Sequence, residues 1–181
     1  MSGHSKWSNI KHRKESSDKK RAQLFSKLSR EISIAARKEP NPEFNPHLRT
    51  VIEKARKANM PQDNIQRAIN KSSEAGDLEE LVLEGYGPDG VAIIVVATTD
   101  NKNRTVAELK KIFKDHEAKW ADPGSVLWAF TKNNGEYEAN FPQEISDQTR
   151  EKINNLVEVI EDHDDVNNIY INAKPKEDDS E

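Results

Sequence analysis

The chain has no cysteine. Disulfides, thiolate nucleophiles and cysteine zinc sites are excluded together, and the expected compartment is a reducing one, the cytoplasm. Glycine is scarce, at seven residues in 181, and none of the seven forms a phosphate-cradling loop. The chain also lacks a Ser-centred nucleophile elbow and an HExxH pair. Carboxylates are abundant, but nothing in their spacing selects a pair for acid–base work. A non-enzyme without cofactor or metal is expected. His4 and His12, eight apart, match no zinc pattern. Asp162, Asp164 and Asp165 lack the glycine and the distal glutamate of a calcium loop. Long apolar runs are missing too. The longest, residues 91–97, is too short to span a bilayer. Residues 1–10 have no apolar signal core, and residues 11–20 carry two acids and no amphipathic stripe, unlike a transit peptide. No membrane partner is expected. With 34% hydrophobic and 33% charged residues, two thin domains suit the chain better than one thick core.

What the chain does have is charge sorted along its length. Residues 1–71 hold 17 Lys/Arg against 7 Asp/Glu, whereas residues 72–181 hold 11 against 25. The net charge of -4 conceals a basic front and an acidic back. Such a chain offers one end to a polyanion.

Residues 1–16 show no apolar period and read as a basic arm. Over residues 18–38, Leu24, Phe25, Leu28, Ile32, Ala35 and Ala36 share one helical face, opposite Lys27, Arg30 and Arg37. Pro40 and Pro42 end that helix. Asn45-Pro46 starts a second helix with Leu48, Val51, Ile52 and Ala55 inward, and Asn59 closes it. Pro61 opens a third, with Ile65, Ala68 and Ile69 inward. Residues 1–71 are thus an arm plus a three-helix bundle, and residues 72–80 are a linker. Strands are predicted at 81–86, 91–99, 125–131, 136–141 and 166–173, and helices at 105–116 and 149–163. From Val91 the order is β-α-β-β-α-β, the ferredoxin-like pattern, with 81–86 as an extra edge strand. The fold class is α+β: a helical bundle, a ferredoxin-like domain over 81–174 and an acidic, disordered tail over 175–181.

The candidate binding residues follow from the charge. Lys6, Lys11, Arg13, Lys14, Lys19, Lys20, Arg21, Lys27 and Arg30 would neutralise phosphates and release counterions. Trp7 and His12 would contact base or sugar; for Trp7, stacking on an unpaired base competes with packing on the bundle. Between the strongest strand and its helix, Asp100 or Asn103 would cap the helix, and Lys102 and Arg104 would make a secondary anion contact. A capped turn with no ligand is the plainer reading of that segment.

The segments GHSKWSNIKHRK, KLSREISIAARK, NPHLRTVIEKARKANMPQDNIQRAI, EGYGPDGVAIIV and TTDNKNRTVAELK occur in this order. Together they closely resemble the YebC/PmpR family, which includes mitochondrial translational activators of cytochrome oxidase. The resemblance is dense over residues 2–113 and resumes at 124–130 and 141–172. Family members are usually longer, with a further α/β domain between the second and third strands of the ferredoxin-like unit. This chain passes from Phe130 to Phe141 through a short turn, so it resembles a compact member without that domain. Residues 116–122 also replace a loop usually rich in Gly and Asn.

The resemblance implies two roles: a DNA-binding transcriptional regulator, or a ribosome-associated translation factor that contacts ribosomal RNA and relieves stalling. Both need a cationic N-terminal domain. A third reading, from another class, is a protein-interaction module that works through the acidic domain. The absence of an obvious recognition helix favours RNA or shape-driven contact; the usual family label favours duplex DNA. Oligomeric state is open.

Overall fold

The computed structural model describes residues 18–74 and 76–175. The basic arm up to Ser17 and the tail from Lys176 lie outside the described residues.

Three helices come first: α1 (Asp18–Ala36), α2 (Pro46–Lys57) and α3 (Gln62–Asn70). Asn45 explains the α1–α2 corner. Its Oδ1 accepts from the Leu48 N–H at 3.0 Å, while its Nδ2 donates to the Ala35 and Glu39 carbonyls, both at 2.8 Å. One side chain therefore caps α2 and satisfies orphan carbonyls at the end of α1. Leu28, Ile32, Ala35 and Ala36 bury against Leu48, Val51, Ile52 and Ala55 of α2 and Ile65, Ala68 and Ile69 of α3. Leu24, expected inward, is 41% exposed. The bundle core takes in Phe25 and Leu28 but not Leu24.

The second unit is a four-stranded antiparallel sheet in the order β3-β1-β2-β6, built from β1 (Glu79–Tyr86), β2 (Ala92–Thr99), β3 (Lys119–Ala121) and β6 (Val166–Ile171). Two helices, α4 (Lys102–Asp115) and α5 (Asp147–Glu161), cover one face. β2 is buried along its whole length. Ile93 and Val95 meet α4 and α5, while Ala92, Ile94 and Val96 face the other side. This two-sided burial is why the strand reads as a continuous apolar run.

The α+β class and the two-helix antiparallel sheet hold; the strand membership is corrected. Residues 81–86, expected at an edge, belong to β1, which runs between β2 and β3. They are therefore part of an inner strand of the sheet. Gly85 permits this, because a Cβ there would lie 2.2 Å from Phe113 Cε1 and 2.8 Å from the Lys119 carbonyl oxygen. Residues 136–139 instead form β5 (Glu136–Ala139), paired only with β4 (Phe130–Asn133). The Asn134-Gly135 turn has φ of 50° and 84°, the positive values that a tight two-residue hairpin requires. This hairpin and residues 126–129 cover the second face of the sheet through Val126, Ala129, Phe130 and Tyr137. Tyr137 meets Tyr170 edge-on, with ring centroids 5.3 Å apart.

Residues 125–131, predicted as a core strand, are mostly not one. Residues 127–129 form a 3-10 turn. Glu84, 2% exposed, draws the backbone N–H groups of Gly124 (2.6 Å), Val126 (2.6 Å) and Leu127 (2.9 Å) onto its carboxylate. Donors aimed at one side chain cannot also feed a ladder. β3 was not anticipated. Trp120 anchors it by packing edge-on against Phe113, with centroids 5.5 Å apart.

Candidate nucleic-acid interface

The predicted contacts fall into three groups. Lys6, Trp7, Lys11, His12, Arg13 and Lys14 lie outside the described residues. Lys19, Lys20 and Arg21 are exposed on the first turn of α1, directly after the arm. Lys27 and Arg30 are corrected. They face the second unit, not solvent.

Their partners are at the turn between α5 and β6. Lys27 donates to the Glu161 carbonyl. Arg30 reaches the Asp165 carboxylate at 3.1 Å and also donates to the Asp164 and Thr98 carbonyls. Gln23, one turn earlier, donates to the Asp162 carbonyl and the Asp164 carboxylate. The polar side of α1 is therefore an internal seam. A second tie lies beside it: Lys54 of α2 bridges Glu31 (3.0 Å) and Asn168 (2.6 Å), and Asn168 donates back to Glu31.

Asp165 is the centre of the seam. It is 5% exposed, and its two oxygens take Arg30 (3.1 Å), Arg104 (3.0 Å) and the Thr105 hydroxyl (2.7 Å). Burial alone would raise its pKa, but the hydrogen bonds from Thr105, Arg104 and Arg30 outweigh burial and hold it below the usual carboxylate range. The predicted secondary anion contact is corrected by the same geometry. Arg104 is paired with Asp165 and Asp100, both at 3.0 Å, whereas Lys102 stays exposed at the start of α4. The cap of α4 is Asn101, which accepts from the Arg104 N–H at 3.1 Å. Neither Asp100 nor Asn103 serves.

Lys27 carries a testable consequence. Desolvation lowers its pKa from 10.5 to about 8, with Arg30 adding to the effect and Glu161, Asp164 and Asp162 opposing it. Between these values the folded chain holds fewer protons than the unfolded one, so the Lys27 contribution to stability improves as pH rises through about 8 and is constant below it. Lys27→Met should be more stable relative to wild type at pH 7 than at pH 10. Urea unfolding at both pH values checks this; an unchanging difference would refute it.

The described bundle also presents a surface that composition alone did not single out. Arg56 and Lys57 on α2, Gln62, Gln66, Arg67 and Asn70 on α3, and the following Lys71 are all exposed. The signal was present in the stripe itself: Ile65, Ala68 and Ile69 inward leave an outward row of amides and one guanidinium.

Two family profiles match. Residues 5–75 match the TACO1/YebC protein N-terminal domain, and residues 78–135 match the TACO1/YebC second and third domain. The chain belongs to the TACO1/YebC family. A "Probable transcriptional regulatory protein" of Dictyoglomus turgidum is 54% identical over 136 residues, which are 72% of this chain and 54% of that one. One of Aquifex aeolicus with the same name is 52% identical over 136 residues, 73% of this chain and 55% of that one. The chain thus spans about half the length of these TACO1/YebC relatives. A crystal structure of a conserved hypothetical protein, Aq1575 from Aquifex aeolicus, superposes with a TM-score of 0.78 at 32% identity, covering 97% of this chain and 99% of that one.

Among the described residues of this TACO1/YebC chain, no helix is long and apolar enough to cross a membrane. No cluster of three or more His, Asp or Glu there could hold a metal.

Proposed function

We propose that this chain is a non-enzymatic, cytoplasmic regulator of gene expression that binds nucleic acid through its basic front, with duplex DNA as the first target. The observation that carries the reading is the charge sorting: 17 Lys/Arg against 7 Asp/Glu in residues 1–71, opposed by 11 against 25 in the rest. Relatives named as probable transcriptional regulatory proteins support it. Lys6, Lys11, Arg13, Lys14, Lys19, Lys20 and Arg21 contact phosphate, and Trp7 and His12 contact base or sugar. Lys27 and Arg30 leave this set, because they hold the bundle to the second unit. The α/β unit then orients the bundle, held to it along α1.

A second reading, ribosomal RNA with a role in translation, is favoured by Trp7 lying between Lys6 and Lys11. An aromatic flanked by cations stacks best on an unpaired base. Crosslinking in cells followed by sequencing of the attached nucleic acid separates the two. Promoter fragments are the expected result. Ribosomal fragments would replace the DNA reading with the translational one, and recovery of neither would end both.

A further inference from the structure

We propose that α2, the turn after it and α3 form a helix-turn-helix reader, with α3 entering the major groove of duplex DNA and Gln66, Arg67 and Asn70 touching base edges. The proposal deepens the duplex reading above and rests on it.

The geometry starts at the turn. Four residues, Ala58, Asn59, Met60 and Pro61, separate α2 from α3, the length found between the two helices of such a motif. Asn59 sits at φ 61°, the left-handed position that Gly or Asn fills most cheaply. The Met60 N–H donates to the Ala55 carbonyl at 3.0 Å, and the Met60 side chain is buried in the bundle core. Pro61, extended at ψ 142°, is the residue before α3. The turn therefore has one shape and delivers α3 in one direction. α1 packs against both helices. The buried Ser33 hydroxyl donates to the Ala68 carbonyl at 2.8 Å, which fixes the rotation of α3 about its axis.

With Ile65, Ala68 and Ile69 held inward, the outward face is Gln62, Asp63, Gln66, Arg67 and Asn70. A solvated helix face more often carries Glu and Lys in i,i+4 pairs; here the i,i+4 pair is Gln66 to Asn70, whose amides meet at 3.0 Å. That bond pre-orients both amides. Gln and Asn read adenine with paired donor and acceptor, and Arg reads guanine. Around that face the exposed cations Arg56, Lys57, Arg67 and Lys71 stand against the exposed acids Glu53, Asp63 and Glu74, a small positive excess. Arg56, Lys57 and Lys71 are exposed at the two ends of the motif, so phosphates on either side of a groove meet cations while the amides meet bases. Duplex DNA is favoured over duplex RNA because only the B-form major groove, about 12 Å wide, admits a helix; the A-form groove is too narrow.

The test uses the full chain and a pool of random 20-base-pair duplexes, about two turns of B-form helix, selected over several rounds and sequenced. Wild type should enrich a short motif. Gln66→Ala/Asn70→Ala, which changes no charge, and Arg67→Lys, which keeps it, should each cut the preference for that motif roughly 10- to 100-fold. Affinity for a mixed-sequence duplex should stay near wild type, and circular dichroism should show the fold unchanged. A motif that survives both variants, or no enriched motif from wild type, overturns the proposal. Salt-dependent binding to the mixed duplex would in either case leave the basic-front reading standing. Loss of that binding as well would take down both. Sensitivity of the variants only toward a structured RNA competitor would count against the major-groove assignment.

Discussion

Replacing Glu84 with alanine is expected to destabilise the chain by about 3–5 kcal/mol, since three backbone donors lose a charged acceptor worth more than a neutral one at each contact. Glu84 lies on the β1 face opposite α4 and α5, and the N–H groups of Gly124, Val126 and Leu127 converge on it at 2.6–2.9 Å. Val126 is fully buried, so its N–H would face a cavity and not water. The loop has one further tie to the sheet, Tyr86 Oη donating to the Ser125 carbonyl, which also accepts from Trp128 Nε1 within the loop. The Tyr86 bond keeps the segment near its place and prevents it from simply swinging out. Glu84→Gln should cost less, about 1–3 kcal/mol, because one carbonyl oxygen still accepts. Urea unfolding with both variants measures this. A loss below about 1 kcal/mol for Glu84→Ala would mean that water replaces the carboxylate, contrary to the burial described.

Asp165→Ala is the second large effect, expected to cost about 2–4 kcal/mol. Removing one partner of a buried ion pair leaves the other side uncompensated, and here two guanidiniums and the Thr105 hydroxyl lose it together. The figure sits below the upper range for such pairs because the Arg30 and Arg104 side chains are 27% and 43% exposed and can recover water. The carboxyl pKa is depressed in the folded state. Its stabilisation is therefore complete above the ordinary carboxylate pKa and is lost as pH falls through the depressed value. Wild type and Asp165→Ala should accordingly converge in stability in strong acid and differ most near neutrality. Equal stability of the two at pH 7 would deny Asp165 its place at the seam.

The bundle was legible because its signals are local. Asn45-Pro46, Asn59 and Pro61 mark the ends of α2 and α3 as read, and the inward stripes match the buried residues apart from Leu24. β2 was legible for a similar reason: a β-branched run buried on both faces is written in consecutive residues. The central position of β1 was not. It depends on Gly85 letting Phe113 and the Lys119 carbonyl approach, a contact between residues far apart in the chain. The Ser125 segment has strand composition, but Glu84, some forty residues earlier, claims its N–H groups. For α1, periodicity placed Lys27 and Arg30 on the polar side correctly. What it could not show is that this side faces the carboxylates and carbonyls of residues 161–165. The acidic run there was the available clue: Asp162, Asp164 and Asp165, which do not make a calcium loop, are the docking partner of α1. Asp100 lost the cap of α4 to Asn101 by one residue, within the usual uncertainty of helix starts.

The central claim is that the positive front of the chain touches phosphate. It is tested most directly by titrating a mixed-sequence duplex with the full chain between about 50 and 200 mM salt, alongside Lys11→Ala/Arg13→Ala/Lys14→Ala. Wild-type affinity should fall by roughly 10³ or more over that range, and the triple variant should bind more weakly with a log–log slope shallower by about 2–3. A flat wild-type salt response, or a triple variant that titrates like wild type, would contradict the account.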